Sequence, residues 1–187
     1  MNKYISVYGT LRKGCGANYK MDNTEFIGIS KENVNFKMLH LGGFPGLVKS
    51  EEKNELVFET YKIKDDDKDT LRILDQYEGY PSFYDRCEIE LENLGVKSWV
   101  YYLKNGREYS NESIIQSGDW LNQEIMNEID LLIEDYERKL KTAQSMIDLN
   151  KMSSARIIAK ASCYKSFIYE LNILKNKMNN YVFENKN

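Results

Sequence analysis

Glycine and proline are confined to the first two thirds of this chain. Of its 187 residues, all eleven glycines and both prolines lie at or before Gly118. Because these two residue types interrupt helices, residues 119–187 can form long unbroken helices, whereas the earlier residues must contain frequent turns. The sequence therefore predicts two differently built parts, a turn-rich domain over residues 1–121 and a helical extension over residues 122–187.

The extension carries apolar residues at steps of three to four, the spacing of amphipathic helices. A break with a serine cap is expected near residues 150–154, which would give two long helices. The repeated positions are Leu121, Ile125, Ile129, Leu132, Ile133, Tyr136, Leu140, Ala143 and Ile147 in the first helix, and Ile157, Ala161, Tyr164, Ile168, Leu171, Leu174 or Lys175, Met178 and Tyr181 in the second. Such helices cannot bury their apolar stripes alone, so we expect a helical hairpin that packs on the domain or on a second subunit.

The turn-rich domain alternates short strand-like segments with turn signals. Predicted strands cover residues 3–8, 25–30, 34–40, 54–64, 85–91 and 96–103. The fourth of these has apolar residues on both of its alternating faces, which suits a strand in a closed or two-sided sheet. One helix is predicted from residue 68 to Tyr77, before Gly79 and Pro81 end it. This mixture of strands and one helix indicates the α+β class.

Composition excludes several classes of function. The formal net charge is −3 and no basic cluster stands out, which argues against nucleic-acid binding. His40 is the single histidine, so the chain offers few residues for a histidine-based catalytic site or a zinc site. Cys15, Cys87 and Cys163 are scattered and odd in number, as expected for free thiols in a reducing compartment. No signal peptide or transmembrane helix is expected, so we predict a cytoplasmic protein.

Two segments are candidates for chemistry. At the end of the first predicted strand, Gly9 would allow a ligand to approach backbone N–H groups closely, although a plain tight turn is the alternative. Glu78 follows the predicted helix and is surrounded in sequence by Tyr77, Tyr80 and Tyr84. These aromatic side chains would exclude water and raise the pKa of the carboxyl group, which suits a proton donor and acceptor. The alternative is an exposed glutamate at a helix end.

Two further glycine-containing segments are residues 42–47 and 117–120. Segments of this kind most often form turns. His40, next to the first of them, is interpreted as a structural histidine. In the second, Asp119 could cap the following helix and Trp120 could anchor the core.

Five segments, in order, resemble the motifs of the gamma-glutamylcyclotransferase-like family. They are Val7-Tyr8-Gly9-Thr10-Leu11-Arg12, Phe44-Pro45-Gly46-Leu47-Val48, Leu74-Asp75-x-x-Glu78-Gly79, Tyr84-x-Arg86 and Ser117-Gly118-Asp119-Trp120. The last is similar to the closing motif of the small bacterial gamma-glutamylamine cyclotransferase, or avirulence-induced-gene-like, branch. The resemblance covers residues 4–120 and implies a small mixed β-barrel with flanking helices and a ligand cavity in the barrel.

The resemblance also implies a reaction and its residues. The α-amine of the substrate would attack the substrate's own γ-glutamyl carbonyl, releasing 5-oxoproline and an amine or amino acid. Glu78 would be the general acid/base, and the substrate-binding residues would be Tyr8, Gly9, Thr10, Leu11 and Tyr84. Because the substrate supplies the nucleophile, neither a metal nor another cofactor is required.

Two points stay open in the sequence. Phe58-Glu59 stands where the family often has Gly-Glu, and Phe58 would reshape the pocket if it faced the cavity. The alternative function is a non-catalytic barrel that binds a small ligand and recruits a protein partner through the helical extension. The extension could also serve only to form a homodimer.

Overall fold

Two units make up the chain, Met1–Leu121 and Asn122–Asn187, called here the first unit and the helical unit. The computed structural model describes residues 3–64, 69–104, 113–148 and 155–184. The predicted helix break at residues 150–154 and the acidic residues 65–67 before the first helix lie outside the described residues.

A five-stranded mixed sheet is the centre of the first unit. Its strands are β1 (Tyr4–Val7), β2 (Thr24–His40), β3 (Pro45–Ile63), β4 (Tyr84–Leu91) and β5 (Val96–Leu103), in the spatial order β2-β3-β1-β5-β4. β1 pairs in parallel with β5, and the other neighbours are antiparallel. With a short 3-10 helix over Asn18–Met21 and the helix α1 over Thr70–Glu78, the arrangement confirms the predicted α+β class.

The sheet is open, so the prediction of a closed barrel is wrong on this point. The order of the described strands places β2 and β4 at opposite edges. Where β2 meets the turn after β4, side chains replace strand pairing: the Asn93 N–H donates to Glu32 Oε2 at 3.2 Å, and Asn93 Nδ2 donates to the Lys31 carbonyl. Register shifts in β2 near Phe26 and Val34 also interrupt its regular pairing, and such bulges bend a strand away from a continuous ladder.

Both faces of the sheet are covered by apolar side chains. Along β3, residues 56–61 are all buried. Phe58 belongs to one core cluster, and Tyr61 belongs to the other, together with Ile5 and Leu74. The alternation along this strand therefore supplies two cores, which is the two-sided sheet that the sequence predicted. Full burial of one such apolar side chain stabilises the fold by about 1.5–3 kcal/mol.

Helix α1 ends at Glu78, the glutamate that the sequence analysis singled out. Leu71 and Leu74 bury one side of the helix. Gly79 follows Glu78 with a φ of 65°, a left-handed conformation that glycine adopts without strain. Asp75 joins the helix to β5, because its Oδ1 accepts a hydrogen bond of 2.7 Å from the Tyr101 hydroxyl.

The helical unit contains two long helices, α2 (Trp120–Asp148), whose first two residues belong to the first unit, and α3 (Ala155–Glu184). They run antiparallel, because the Lys175 ammonium contacts Asp130 near one end and the rings of Tyr136 and Phe167 stack 5.2 Å apart further along. Within the ranges that the structure describes, no helix is long and apolar enough to cross a membrane.

Candidate active site

A cavity of about 330 Å³ lies at the carboxyl end of β1. Its wall includes the segment that follows β1, the end of α1, and the starts of β3 and β4. All of the residues that the sequence singled out as site residues line it: Tyr8, Gly9, Thr10, Leu11, Glu78 and Tyr84. Segments far apart in the sequence are therefore brought to one place.

Glu78 is the single charged side chain among the described residues that line the cavity. Burial raises the pKa of its carboxyl group from 4.5 to about 7, because a desolvated carboxylate loses the stabilisation of water. Within the described part of the chain the carboxylate makes no hydrogen bond or ion pair. A carboxyl group with a pKa near neutrality can both accept and donate a proton.

The aromatic surroundings of Glu78 differ in one respect from the prediction. Tyr77 and Tyr84 line the cavity, but Tyr80 does not. The Tyr80 ring instead packs against the Arg86 guanidinium, whose Cζ lies 4.9 Å from the ring centroid. The other aromatic side chains of the wall come from elsewhere in the chain: Tyr8, Phe44, Phe83 and Tyr101.

The loop after β1 presents its backbone N–H groups without partners. Within the described residues, the N–H groups of Gly9, Thr10 and Leu11 donate no hydrogen bond. Their carbonyl groups do accept hydrogen bonds: from Arg12 N at 2.9 Å, from Ala17 N at 3.2 Å and from Asn18 Nδ2 at 2.8 Å, respectively. Successive unpaired N–H groups in a turn form a concavity that binds negatively charged oxygens.

Gly9 is required by the close approach of the loop to β3. A Cβ atom at position 9 would lie 2.6 Å from Pro45 Cγ and 2.8 Å from Pro45 Cδ, closer than carbon atoms can pack. The Tyr84 hydroxyl donates to the Pro45 carbonyl at 3.0 Å, so the same proline is also tied to the start of β4. The glycine of the first motif and the proline of the second therefore form one packed contact.

The loop is held by charged side chains that do not line the cavity and that sequence reasoning did not assign to the site. Arg12 and Glu59 are buried, and Asp119 is half-buried. Arg12 is 4% exposed, and its guanidinium contacts Glu59 Oε1 through Nε at 3.1 Å and Asp119 Oδ1 through Nη1 at 2.5 Å. Glu59 Oε2 accepts a hydrogen bond from the Lys13 N–H at 2.8 Å. Asp119 Oδ1 also accepts a hydrogen bond from the Leu121 N–H, which is the predicted helix cap. Each of the three lies in a segment that the sequence analysis compared with the family, and Glu59 lies in the buried run of residues 56–61. No local pattern indicated that they pair.

Two tyrosine hydroxyl groups of the wall stay protonated at neutral pH. Burial raises the pKa of Tyr8 well above 10, with further increases from the neighbouring Tyr84 and Glu78. Burial and the hydrogen bond to Asp75 likewise raise the pKa of Tyr101. The Tyr8 hydroxyl donates to the Tyr101 carbonyl at 3.1 Å. Among these groups, Glu78 is the one that changes charge near neutral pH.

The mouth of the cavity is aromatic. Phe44, Tyr77 and Phe83 line it while 39–43% of each side chain remains exposed. Tyr77 also forms a hydrogen bond of 3.1 Å with Thr10, which joins α1 to the loop after β1. The entrance is therefore built from apolar surface around a wall that carries a single charge.

Phe58 does not reshape the cavity, because it does not line it. Its side chain is fully buried, and its ring packs edge-on against the Tyr8 ring with the centroids 6.3 Å apart. The substitution of Phe for the glycine frequent in the family therefore fills core behind the cavity wall.

His40 lies outside the cavity wall, as expected for a structural histidine. Its Nδ1 accepts a hydrogen bond from the Gly42 N–H at 3.2 Å, in the turn between β2 and β3. Among the residues that the structure describes, no group of three or more His, Cys, Asp or Glu side chains is arranged to hold a metal ion.

Together, these features define a candidate small-molecule site with one titratable carboxyl group and a loop whose backbone N–H groups are unpaired among the described residues. Comparison with known proteins assigns the class: the chain belongs to the gamma-glutamyl cyclotransferase, AIG2-like family, whose model matches residues 5–122. Two relatives are provisionally named gamma-glutamylcyclotransferases. The protein of Methanocaldococcus jannaschii is 29% identical over 63% of this chain and 95% of its own length. That of Vibrio cholerae is 31% identical over 64% of this chain and 96% of its own length.

Solved structures resemble the first part of the chain in the same way. A Pyrococcus horikoshii protein superposes with a TM-score of 0.55 and 23% identity, covering 68% of this chain and 97% of its own. A Bacillus subtilis protein gives 0.51 and 24% identity, covering 68% of this chain and 43% of its own. At these identities the likeness concerns the fold alone.

Proposed function

We propose that the first unit is a gamma-glutamyl cyclotransferase that converts a small γ-glutamyl amine or peptide into 5-oxoproline and a free amine or amino acid. The observation that carries the proposal is Glu78, a lone carboxyl group with a pKa of about 7 in the same cavity as the unpaired N–H groups of the loop. Family membership supports the general reaction, and the cavity supports the choice of this residue.

The reaction starts with Glu78 ionised. Its carboxylate accepts a proton from the α-ammonium group of the substrate, and the resulting amine attacks the γ-carbonyl carbon of the same molecule. A carbon–nitrogen bond forms, the ring closes, and the carbonyl oxygen becomes negatively charged. Protonated Glu78 then donates its proton to the leaving nitrogen, the original amide bond breaks, and the carbonyl is restored. The ring nitrogen still carries two protons after the attack. It releases one of them to Glu78, which passes it to the released amine, so that the lactam nitrogen of 5-oxoproline is neutral. The glutamate returns to its starting state.

The N–H groups of Gly9, Thr10 and Leu11 would bind the negatively charged oxygens of the glutamyl part. Donors that are already oriented can stabilise developing charge, and each such donor is worth about 2.7–4 kcal/mol where this has been measured. Tyr84 would form part of the pocket wall. Because amine and carbonyl belong to one molecule, holding the substrate folded also lowers the barrier, and effective molarities in such ring closures are large.

The direct test is to incubate the purified full chain with γ-glutamyl amino acids, γ-glutamyl-lysine and simple γ-glutamyl amines, and to measure 5-oxoproline by mass spectrometry. We expect product from at least one substrate, and loss of product in Glu78→Gln with the fold retained. Activity that survives Glu78→Gln would overturn the proposed role. Absence of product from the whole panel would overturn the enzymatic function.

The second candidate function is a ligand-binding cavity without turnover, with the helical unit recruiting a protein partner. It is favoured by the position of that unit, almost all of which lies beyond the family match at residues 5–122. Binding of a γ-glutamyl compound, measured by calorimetry, would then occur without product and would be insensitive to Glu78→Gln.

A further inference from the structure

The helical unit has a very small core for its length. Among its described side chains, Ile129, Ala143 and Ala161 are buried, and two of these three are alanines. The helices contain 29 and 30 residues. Two helices joined in a hairpin derive most of their stability from the apolar area that they bury, so a hairpin with this core gains from burial against further helices.

Some of the apolar positions that the sequence predicted for the buried stripes are exposed on the surface of both helices, together with Met146 and Phe167. In α2, Ile125, Leu132 and Met146 are separated by multiples of seven residues, and in α3 Phe167 and Leu174 are separated by seven. Each of the five side chains is 41–48% exposed. Seven residues make two turns of a helix, so each set lies on one side of its helix.

The two sets lie on the same side of the hairpin. Contacts between the helices join Tyr136 of α2 to Tyr164 and Phe167 of α3. Ile133 and Ile168, which lie on the predicted facing stripes, are less exposed than the surface residues. Leu132 and Phe167 each come one residue earlier. One residue earlier means a rotation of about 100° about the helix axis. In an antiparallel pair, this same rotation on each helix points both side chains to the same side of the hairpin. We call this surface the outer apolar face, formed by Ile125, Leu132, Met146, Phe167 and Leu174.

The charges of the two helices are opposite. Helix α2 has seven acidic and three basic residues, whereas α3 has five basic and two acidic residues. A second hairpin that placed α2 on α2 and α3 on α3 would bring like charges together. A second hairpin that placed α2 on α3 would pair opposite charges. If both arrangements bury the same apolar area, this charge complementarity favours α2 on α3.

We propose that the outer apolar face binds a second copy of this chain, so that two hairpins form a four-helix bundle with α2 of each copy antiparallel to α3 of the other. A two-fold axis parallel to the helices produces this arrangement, because it exchanges the positions of α2 and α3 and keeps Leu132 of one copy level with Leu174 of the second. The proposal is independent of the proposed enzymatic function.

The first test is the mass of the full chain in solution, measured by light scattering over a concentration series. We expect a dimer, twice the chain mass of 22.0 kDa. Leu132→Glu should raise the dissociation constant roughly 100-fold or more, since the dimer would bury unpaired charges. Leu131→Glu is the matched control, because Leu131 is 66% exposed and lies outside the outer apolar face. A second matched pair is Leu174→Glu and Ile173→Glu.

A wild-type chain that remains a monomer at every concentration would overturn the proposal, as would a dimer equally weakened by Leu131→Glu and Leu132→Glu. Far-UV circular dichroism of each variant shows whether its helices are retained. Salt gives a further readout, because pairing of α2 with α3 should weaken as ionic strength rises. A dimer that tightens with salt would contradict the charge argument.

The second test distinguishes the two arrangements by cross-linking. In a Cys163→Ser background, which removes an exposed cysteine of α3, Leu132→Cys and Leu174→Cys chains are mixed and oxidised. A mixed disulfide-linked dimer is expected to predominate. Predominant Leu132→Cys homodimers, or no cross-link in a chain that is dimeric by mass, would contradict the proposed packing.

Discussion

Arg12 Nη1 lies 2.5 Å from Asp119 Oδ1, and the same guanidinium contacts Glu59 through Nε at 3.1 Å. One buried cation therefore holds the loop after β1 against two carboxylates from distant parts of the first unit. The cavity depends on this loop, so the ion pairs link the stability of the unit to the geometry of the site.

Replacing Arg12 by methionine should destabilise the protein by about 3–5 kcal/mol, because the buried carboxylate of Glu59 would lose its counter-charge. Urea unfolding followed by circular dichroism measures the loss. Arg72→Met is the matched control: Arg72 pairs with Asp69 while both side chains are about 70% exposed, so the change should cost less than about 1 kcal/mol. Equal losses in the two variants would show that burial of the Arg12 pairs contributes nothing.

Glu78→Gln should lower kcat by about 10²–10⁴-fold, the range typical of a lost general acid/base. Glutamine is nearly isosteric, so substrate binding and the fold should be retained. The measurement is the rate of 5-oxoproline formation. Glu88→Gln, at an exposed position of β4, is the control and should leave the rate unchanged. A reduction below about threefold in Glu78→Gln would contradict the assignment.

Stability should depend on pH through Glu78. Burial raises the pKa of its carboxyl group from 4.5 to about 7. The folded state therefore binds this proton more tightly than the unfolded state, and stability present below about pH 4.5 is lost as the pH rises through about 7. Glu78→Gln removes this loss.

The stability of Glu78→Gln relative to the wild type should accordingly increase with pH, by at most about 3 kcal/mol between pH 4.5 and 8. Urea unfolding at a series of pH values gives the difference directly. The same series on Glu88→Gln should give a nearly constant difference. A constant difference for Glu78→Gln as well would mean that its pKa is not raised in the folded state.

Gly9→Ala should impair the site, because the added methyl group would lie 2.6 Å from Pro45 Cγ. Overpacking of this kind costs about 1–3 kcal/mol, and displacement of the loop would move the N–H groups of the cavity wall. We expect kcat/KM to fall at least about tenfold. Gly16→Ala is the control, since a Cβ atom there meets no atom within 4 Å. If both variants kept full activity, the close contact with Pro45 would be unimportant for function.

Local signals predicted one part of the sheet well and another part poorly. The hairpin of β4 and β5 was predicted within one residue at each end, because its strands and its turn are contiguous in sequence. The predicted strands at residues 25–30 and 34–40 are in fact one strand, β2. The polar residues between them hid this continuity. Glu32 is buried there and accepts a hydrogen bond from the Asn93 N–H. The partner is distant in the sequence, so no local pattern predicts that this glutamate is buried in a strand.

The site shows the same contrast. The motifs at Tyr8 and Glu78 were predicted to meet, and both line the cavity. The support provided by Arg12, Glu59 and Asp119 was not predicted, because the three residues are far apart in the sequence and no spacing rule pairs them. Tyr80 was assigned to the surroundings of Glu78 by proximity in sequence, yet its ring lies against Arg86. Sequence neighbours on either side of a helix end need not share a cavity.

Glu78 is the last residue of α1, and Leu71 and Leu74 fix the rotation of that helix against the core. One residue inserted between Leu74 and Glu78 would turn the carboxyl group by about 100° and shift it by about 1.5 Å along the axis. We therefore expect length changes in that segment to disrupt the site even where substitutions are tolerated. In a comparison of many relatives, insertions and deletions should be absent between these two positions and should accumulate outside α1.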